Sequence, residues 1–233
     1  MIMFNTLMGV CAGAALLLVP RYLAAVRGER LPLQLIRTPG EPRGWAAAFG
    51  VLGTVLTGLG FVMTVTHPLA PAKTYIDTIF GEPSLILGVL LLAAAWHLAH
   101  TKKPVDEQRL PTLLAPISWV VFCVGLILAW CTAAIVRFDV ISSAPAEEPI
   151  TGLLHQWPIV ENTFFAAVLY GPAALGCLLV PAAAHGRSRG AWLALYWCFT
   201  ISGIAFVLFS AMNYYTHTGM LLNLDHTGAD YRW

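Results

Sequence analysis

Charged side chains are scarce in this chain, and their scarcity excludes whole classes of protein. Asp, Glu, Lys and Arg together make up 11% of the 233 residues, whereas 58% are hydrophobic. Soluble domains contain about 25% charged residues, so the composition indicates a membrane protein. The formal net charge is only +1. Nucleic acid is therefore excluded as a partner, because its recognition requires a strongly basic face.

Paired cysteines and mid-membrane charges are also lacking. The five cysteines form no CxxC motif and all fall inside apolar runs, so they are predicted to be small buried hydrophobic residues and not disulfides or zinc ligands. No charge lies at the centre of an apolar run, and no pair of helices is broken by Gly and Pro at mid-membrane depth. The sequence thus gives no support to a transporter or channel.

Long apolar runs dominate what remains, and they predict an all-α fold. The second run, from 44 to 66, has no charge, and its length suits a hydrocarbon layer of about 30 Å at 1.5 Å per residue. We therefore expect one membrane domain over residues 1–233, a polytopic bundle of six transmembrane helices with spans at about 3–26, 44–66, 83–99, 113–136, 162–184 and 191–216.

The distribution of Lys and Arg predicts the orientation of this bundle. Positive residues concentrate in the segments that follow spans one, three and five, which are expected to be cytoplasmic. Both termini are therefore predicted on the non-cytoplasmic side of the cell membrane, in a multi-pass protein. The lipid bilayer is the expected partner, and a membrane protein partner or a homo-oligomer stays open. The inner residues are Arg21, Arg27, Arg30, Arg37, Arg43, Lys102, Lys103, Arg109, Arg187 and Arg189; the outer ones are Lys73, Arg137 and Arg232.

Small residues predict two packing surfaces. Gly9 and Gly13 form a GxxxG pair that would let another helix approach the first span closely. In the second span, small residues recur every four positions and predict one smooth ridge, formed by Ala46, Gly50, Thr54 and Gly58.

A few ionisable residues mark the predicted outer ends of the spans. Glu82 precedes Pro83 at the expected start of span three, Glu161 precedes span five, and Arg137 ends span four. Helix capping alone explains all three. If the two outward hairpins pack side by side, however, these side chains would meet at one depth and form a ligand or proton site. That predicted site consists of Glu82, Arg137, Glu161, Asp77 and Asn213, with His155 nearby.

Histidines suggest two cofactors as alternatives. A divalent metal would suit imidazole and carboxylate ligands chosen from His67, His217, Asp77, Glu82 and His155, although no HxxxH or HExxH spacing is present. A b-type haem would need axial pairs. The candidates are His67 with His217 at the outer side, and His97 or His100 with His185 at the inner side.

The turn Phe80-Gly81-Glu82-Pro83-Ser84, followed by Leu-Ile-Leu-Gly, resembles a family of small prokaryotic membrane proteins known as domain of unknown function 981. Arg137 and the acid before span five are similar to that family too. The resemblance covers residues 44 to 215, with the arginine-rich and acidic loops as additions. It implies a fold of hydrophobic helices and no agreed activity.

A second resemblance concerns the start of span five. Pro158-Ile159-Val160-Glu161, followed by Phe164-Phe165, is similar to a segment of membrane carotenoid cyclases, whose acids protonate a polyene, but Asn162 replaces the second acid and no Pro-Trp-Asp motif is present. The sequence therefore predicts an uncharacterised integral membrane protein with a polar ligand pocket near the outer face, structural or accessory in role. The alternatives are a transmembrane b-haem electron carrier and a membrane-embedded isoprenoid or lipid-modifying enzyme.

Overall fold

The computed structural model describes residues 3–34, 36, 38–69, 75–101, 105–141, 144–184 and 188–225, and their regular structure is entirely helical. The helices are α1 (Met3–Val26), α2 (Pro42–Thr66), α3 (Ile76–His100), α4 (Leu110–Phe138), α5 (Pro158–Phe164), α6 (Gly171–Ala184) and α7 (Arg189–Leu224). A 3-10 turn spans Thr151–Leu154, and a π-helical segment, Phe165–Tyr170, joins α5 to α6.

Among the described residues, six segments are long and apolar enough to cross a membrane, which confirms the six-span prediction and indicates a multi-pass membrane protein. Helices α5 and α6 and the π-helical segment form the fifth span, Pro158–Ala184. Two boundaries differ from expectation. The third span begins at Ile76, so that Pro83 lies inside α3, and the sixth continues to Leu224. Helix α7 has 36 residues and is about 54 Å long, which exceeds the hydrocarbon thickness.

The two ends of the bundle differ, and we name them by their content. The N-terminal end contains the start of α1, the α2–α3 and α4–α5 connections and the end of α7. The basic end contains the other three connections. There the Arg21 guanidinium is buried and donates to the carbonyl of Leu17 at 2.8 Å and of Leu33 at 3.2 Å. The α1–α2 connection is thereby held against α1 at the basic end of the bundle.

Helices α2 and α3 form a hairpin that packs through small residues spaced seven apart. A Cβ atom on Gly60 would lie 2.6 Å from the backbone nitrogen of Leu85, and one on Gly53 would lie 2.9 Å from that of Leu92. Both distances are too short for any side chain, so the two backbones touch. The small residues of this seam are Ala46, Gly53 and Gly60 on α2 and Gly81, Gly88 and Ala95 on α3, all buried.

The predicted four-residue ridge on α2 is wrong. Thr54 and Gly58 are exposed, and nothing lies within 4 Å of a Cβ built on Gly58. A four-residue step turns about 40° around a helix of 3.6 residues per turn, so the row leaves the contact face. A seven-residue step drifts by only about 20°, which a left-handed supercoil absorbs.

The predicted GxxxG contact of α1 is confirmed, and its partner is α7. A Cβ on Gly13 would lie 2.7 Å from the backbone nitrogen of Val207 and 2.8 Å from the carbonyl oxygen of Gly203. Gly9 meets the hydroxyl of Ser210 one turn further along. The first and last spans are therefore held together at close range, which brings the N-terminal residues of α1 beside the C-terminal part of α7.

Candidate functional site

The charged residues that were expected to form the site lie mostly on the outside of the bundle. Glu82 and Arg137 are both exposed, and neither takes part in the ion pairs found among the described residues. Because α3 begins at Ile76, the prediction that Glu82 opens this helix is wrong, and Asp77 occupies the first turn instead. The guanidinium of Arg137 lies 5.8 Å from the centre of the Phe138 ring.

Two of the predicted acids, Glu161 near the start of α5 and Asp77 in the first turn of α3, anchor the backbone of the preceding connections. The Glu161 carboxylate accepts a bond from the Ala144 amide at 3.1 Å. Fully buried Asp77 accepts one from the Leu69 amide at 2.9 Å through Oδ2, while its Oδ1 is buried without a partner. Both carboxylates therefore order connections at the N-terminal end, as helix-capping acids do.

The histidines in the described part of the chain do not assemble a haem or metal site. His67, His97 and His100 are exposed, the His100 ring lies on Trp96 at 4.2 Å, and His185 falls outside the described residues. Axial haem ligands must face each other across a buried pocket, and side chains on the outer surface of α3 do not. Across the described part of the chain, no group of three or more His, Cys, Asp or Glu side chains is placed to hold a metal ion.

His217 is the exception, because it lies in a buried polar chain. Its Nδ1 is 3.3 Å from the hydroxyl of Thr6, and its Nε2 is 3.4 Å from the Glu148 carboxylate. Glu148 is only 7% exposed and also accepts a 2.6 Å bond from the Thr216 hydroxyl. This chain joins α1, α7 and the α4–α5 connection, and we call it the Thr6–His217–Glu148 chain.

A cavity of about 130 Å³ lies next to this chain, between α1, α3, α4, the π-helical segment, α6 and α7. Most of its wall is apolar, and its polar groups concentrate at the N-terminal end. Thr6 belongs to both the cavity wall and the chain. The polar lining residues are Asn5, Thr6, Ser84, Tyr170, Ser210 and Asn213, and the Tyr170 hydroxyl is already bonded to the Ile79 carbonyl.

Two amide oxygens in this wall are unpaired. Oδ1 of Asn5 and Oδ1 of Asn213 are both buried and have no hydrogen-bond partner. A buried acceptor without a partner costs about 1–3 kcal/mol, so two of them beside one cavity are a costly arrangement for packing alone. Such groups in native proteins often mark a functional site.

Sequence reasoning found Asn213 and His217 and missed their partners. Thr6 lies 211 positions from His217, and nothing in its surroundings distinguishes it from any other threonine in an apolar run. Glu148 was not singled out, because it is one of several acids in a long loop. The contact of α1 with α7, which the Gly9 and Gly13 pair indicated without naming the partner helix, brings these residues together.

A family model described as "Protein of unknown function (DUF981)" matches residues 1–220. The chain belongs to this family. The resemblance seen in the sequence is confirmed, and the match extends over the segments that contain the arginine-rich and the acidic loops. No curated protein and no solved structure matches the chain.

The wall of the cavity in this DUF981 protein includes an unusual backbone segment. Phe165, Leu169 and Tyr170 line the cavity from the π-helical segment. Pro172 lies two residues after this segment, and since proline has no N–H it cannot bond to the carbonyl four residues earlier. The Ser202 hydroxyl donates a hydrogen bond to the Leu169 carbonyl at 2.6 Å. The Tyr170 hydroxyl donates one to the Ile79 carbonyl at 2.9 Å. Single π-helical turns frequently occur at functional sites.

Chemically, the DUF981 cavity offers two different surfaces to a ligand. Its apolar wall can bind a hydrocarbon group, and a cavity of about 150 Å³ is large enough for benzene. Its polar end offers two amide oxygens that accept hydrogen bonds, together with three hydroxyls that can donate them. This combination suits a small amphiphile.

Proposed function

We propose that this DUF981 protein binds a small amphiphile, a hydrocarbon group that carries at least one hydroxyl, in the cavity between its transmembrane helices. The unpaired Oδ1 atoms of Asn5 and Asn213 carry the proposal. Each of these oxygens needs a hydrogen-bond donor, and a hydroxyl of the ligand would supply it. Ligand pockets elsewhere have the same composition, an apolar lining with a few polar groups that fix the orientation.

The apolar part of the ligand would lie among residues from several helices. Leu16 of α1, Leu87 of α3 and Leu128 of α4 contribute to this part of the wall. Burial of hydrocarbon contributes about 0.8 kcal/mol per methylene, although a group that arrives from lipid gains less than one that arrives from water. The hydroxyl would therefore supply most of the selectivity between the ligand and the surrounding lipid.

The cavity would face the non-cytoplasmic side of the cell membrane. Lys and Arg are concentrated in the connections of the basic end, and connections of this kind remain in the cytoplasm. The polar end of the cavity lies at the opposite, N-terminal end. A ligand would then enter from the outer leaflet or the outer aqueous phase.

Binding of hexan-1-ol compared with hexane tests the proposal. The wild-type protein in lipid nanodiscs should bind hexan-1-ol more tightly than hexane, measured by titration calorimetry. In Asn213→Leu, the affinity for hexan-1-ol should fall about fivefold, because one hydrogen bond contributes about 1 kcal/mol. The affinity for hexane should not fall, since the apolar wall is unchanged.

Gln156→Leu is the matched control, because Gln156 is exposed and lies outside the cavity wall. It should leave both affinities unchanged. Equal binding of hexan-1-ol and hexane by the wild-type protein, or equal losses of hexan-1-ol affinity in the two variants, would refute the proposal.

A further inference from the structure

We propose that Thr6, His217 and Glu148 form an acyl-transfer centre that cleaves an acyl ester bound in the cavity. The substrate would be the ester of a short or medium acyl chain with a polyol, an alcohol that keeps free hydroxyls. This inference rests on the proposed function, because it uses the same cavity. It adds a nucleophile, a general base and a bond that is broken.

The arrangement has the two contacts that an activated hydroxyl requires, one from the hydroxyl to a base and one from the base to a carboxylate. The Thr6 hydroxyl lies 3.3 Å from Nδ1 of His217, and Nε2 of the same ring lies 3.4 Å from Oε1 of Glu148. A carboxylate beside Nε2 favours the tautomer that carries its hydrogen on that nitrogen, which leaves the lone pair of Nδ1 facing Thr6. Catalytic triads are recognised by these roles and not by chain order. Here the two ring nitrogens have exchanged positions relative to the serine protease arrangement.

Glu148 is a positioning residue in this centre, and its own position is well fixed. The Thr216 hydroxyl donates to its Oε1 at 2.6 Å. The neighbouring carbonyl of Glu147 accepts a 2.6 Å bond from the side chain of Asn223, and fully buried Pro149 packs against Gly219. Three contacts with α7 therefore hold the carboxylate beside the imidazole. A surface carboxylate that met a histidine by chance would lack them.

The cavity connects this centre to a substrate of defined chemistry. Thr6 lines the cavity, so its hydroxyl can reach an ester carbonyl carbon placed there. The unpaired oxygens of Asn5 and Asn213 would accept hydrogen bonds from the free hydroxyls of the alcohol. The acyl chain would occupy the apolar part. The Ser84 and Ser210 hydroxyls in the same wall are available to stabilise the negative oxygen of the tetrahedral intermediate.

The reaction balances with water as the only co-reactant. The Thr6 oxygen forms a bond to the acyl carbon while its proton passes to Nδ1 of His217. The ester bond to the alcohol then breaks, and the departing alkoxide takes that proton from the imidazolium. Water next attacks the acyl-threonine with His217 as general base, and releases the carboxylic acid and free Thr6.

Hydrolysis of 1-hexanoylglycerol by the purified protein in nanodiscs tests this centre, with released hexanoate measured by mass spectrometry. The wild-type protein should hydrolyse it faster than methyl hexanoate, which has no free hydroxyl. Thr6→Val should lower kcat by at least about 100-fold, because it removes the nucleophile. Thr6→Ser keeps a hydroxyl and should restore most of the rate. Thr66→Val is the control, since Thr66 is exposed at the same end of the bundle.

Two further measurements separate catalysis from a structural role of the Thr6–His217–Glu148 chain. Glu148→Gln should lower kcat by about 100-fold or more with little change in KM, because it disturbs the tautomer and not the cavity. Rapid quenching of the wild-type reaction should reveal a hexanoyl group on the peptide that contains Thr6. Rescue by Thr6→Ser would not be expected if the threonine only filled space.

Absence of hexanoate release by the wild-type protein, or equal rates for the wild-type and Thr6→Val proteins, would overturn the inference. An acyl group found on a residue other than Thr6 would also overturn it. These results are distinguishable from failure of the proposed function. Selective binding of hexan-1-ol without ester cleavage would refute the acyl-transfer centre alone, whereas equal binding of hexan-1-ol and hexane would refute the amphiphile site itself.

Discussion

Asn162 and Asn213 have the same side chain but differ in the hydrogen bonds that it makes. The fully buried amide of Asn162 accepts from the Ile141 amide at 3.0 Å and donates to the carbonyls of Ile141 and Pro158 at 2.9 and 3.0 Å. Asn213 leaves its oxygen unpaired beside a cavity. A fully bonded buried amide stabilises a structure, whereas the unpaired oxygen of Asn213 is the basis of the proposed ligand site. The hydrogen-bond partners of each amide, and not the residue type, distinguish the two positions.

Replacement of Asn162 by Leu should destabilise the protein by about 2–4 kcal/mol, because both backbone groups of Ile141 lose their partner in a buried position. The free energy of unfolding, measured by SDS titration in mixed micelles, checks this value. Gln156→Ala is the control, since an exposed polar side chain should change stability by less than about 0.5 kcal/mol. Equal stabilities for the two variants would mean that Asn162 does not hold the α4–α5 connection.

Single residues of the site were predictable only where the sequence itself marks them. His217 and Asn213 stand out because polar groups are rare in long apolar runs. Thr6 and Asn5 were not singled out, although they also lie in an apolar run, because their importance depends on contact with α7. Glu82 was misplaced for a physical reason. Proline is tolerated at the first turn of a helix, but α3 continues through Pro83 and begins earlier.

The α2–α3 hairpin shows how one element pair is specified by its smallest residues. Two seven-residue rows of Gly and Ala let the backbones meet, and bulky residues between them, Phe49, Leu56 and Met63 on α2, are buried at the sides. In lipid, helices associate mainly through close packing, because the solvent is as apolar as their side chains. The seven-residue spacing of small residues is present in the sequence. It was not recognised, because small residues in α2 also recur every four positions.

Gly60→Ala and Gly58→Ala make the same chemical change on the same helix with opposite expected results. At Gly60 the new Cβ would lie 2.6 Å from the backbone of Leu85, so the helices must separate, at a cost of about 1–3 kcal/mol. At Gly58 nothing lies within 4 Å, so stability should be unchanged or slightly higher. Thermal unfolding in detergent measures both. Equal effects at the two positions would contradict the seven-residue seam.

At the scale of the whole molecule, hydropathy predicted the architecture almost completely. Six spans were expected and six are present, because the length and composition of a segment decide whether it can cross a bilayer. Helix partners were not predictable in this way. The pairing of α1 with α7 depends on which glycines meet which backbone, and apolar composition contains no information about that choice.

Labelling of single cysteines should establish the orientation of the bundle. Gln156 lies in the α4–α5 connection and Gln108 in the α3–α4 connection, and both are exposed. In intact cells, a membrane-impermeant maleimide should modify Gln156→Cys and should reach Gln108→Cys only after permeabilisation. The wild-type protein is the control, because its five cysteines lie within the spans. The reverse pattern would place the cavity at the cytoplasmic side.

The π-helical segment that lines the cavity would allow the hydrogen-bond pattern of the fifth span to change. A π-helical turn contains one extra residue. If a few backbone hydrogen bonds change partners, the extra residue belongs to the next turn and the helix stays continuous. Each such shift rotates the side chains between the old and the new position of the π-helical turn by about 100° around the helix axis. The aromatic rings that line the cavity would then move away from it. The volume of the cavity would change while all six spans keep their depth in the bilayer.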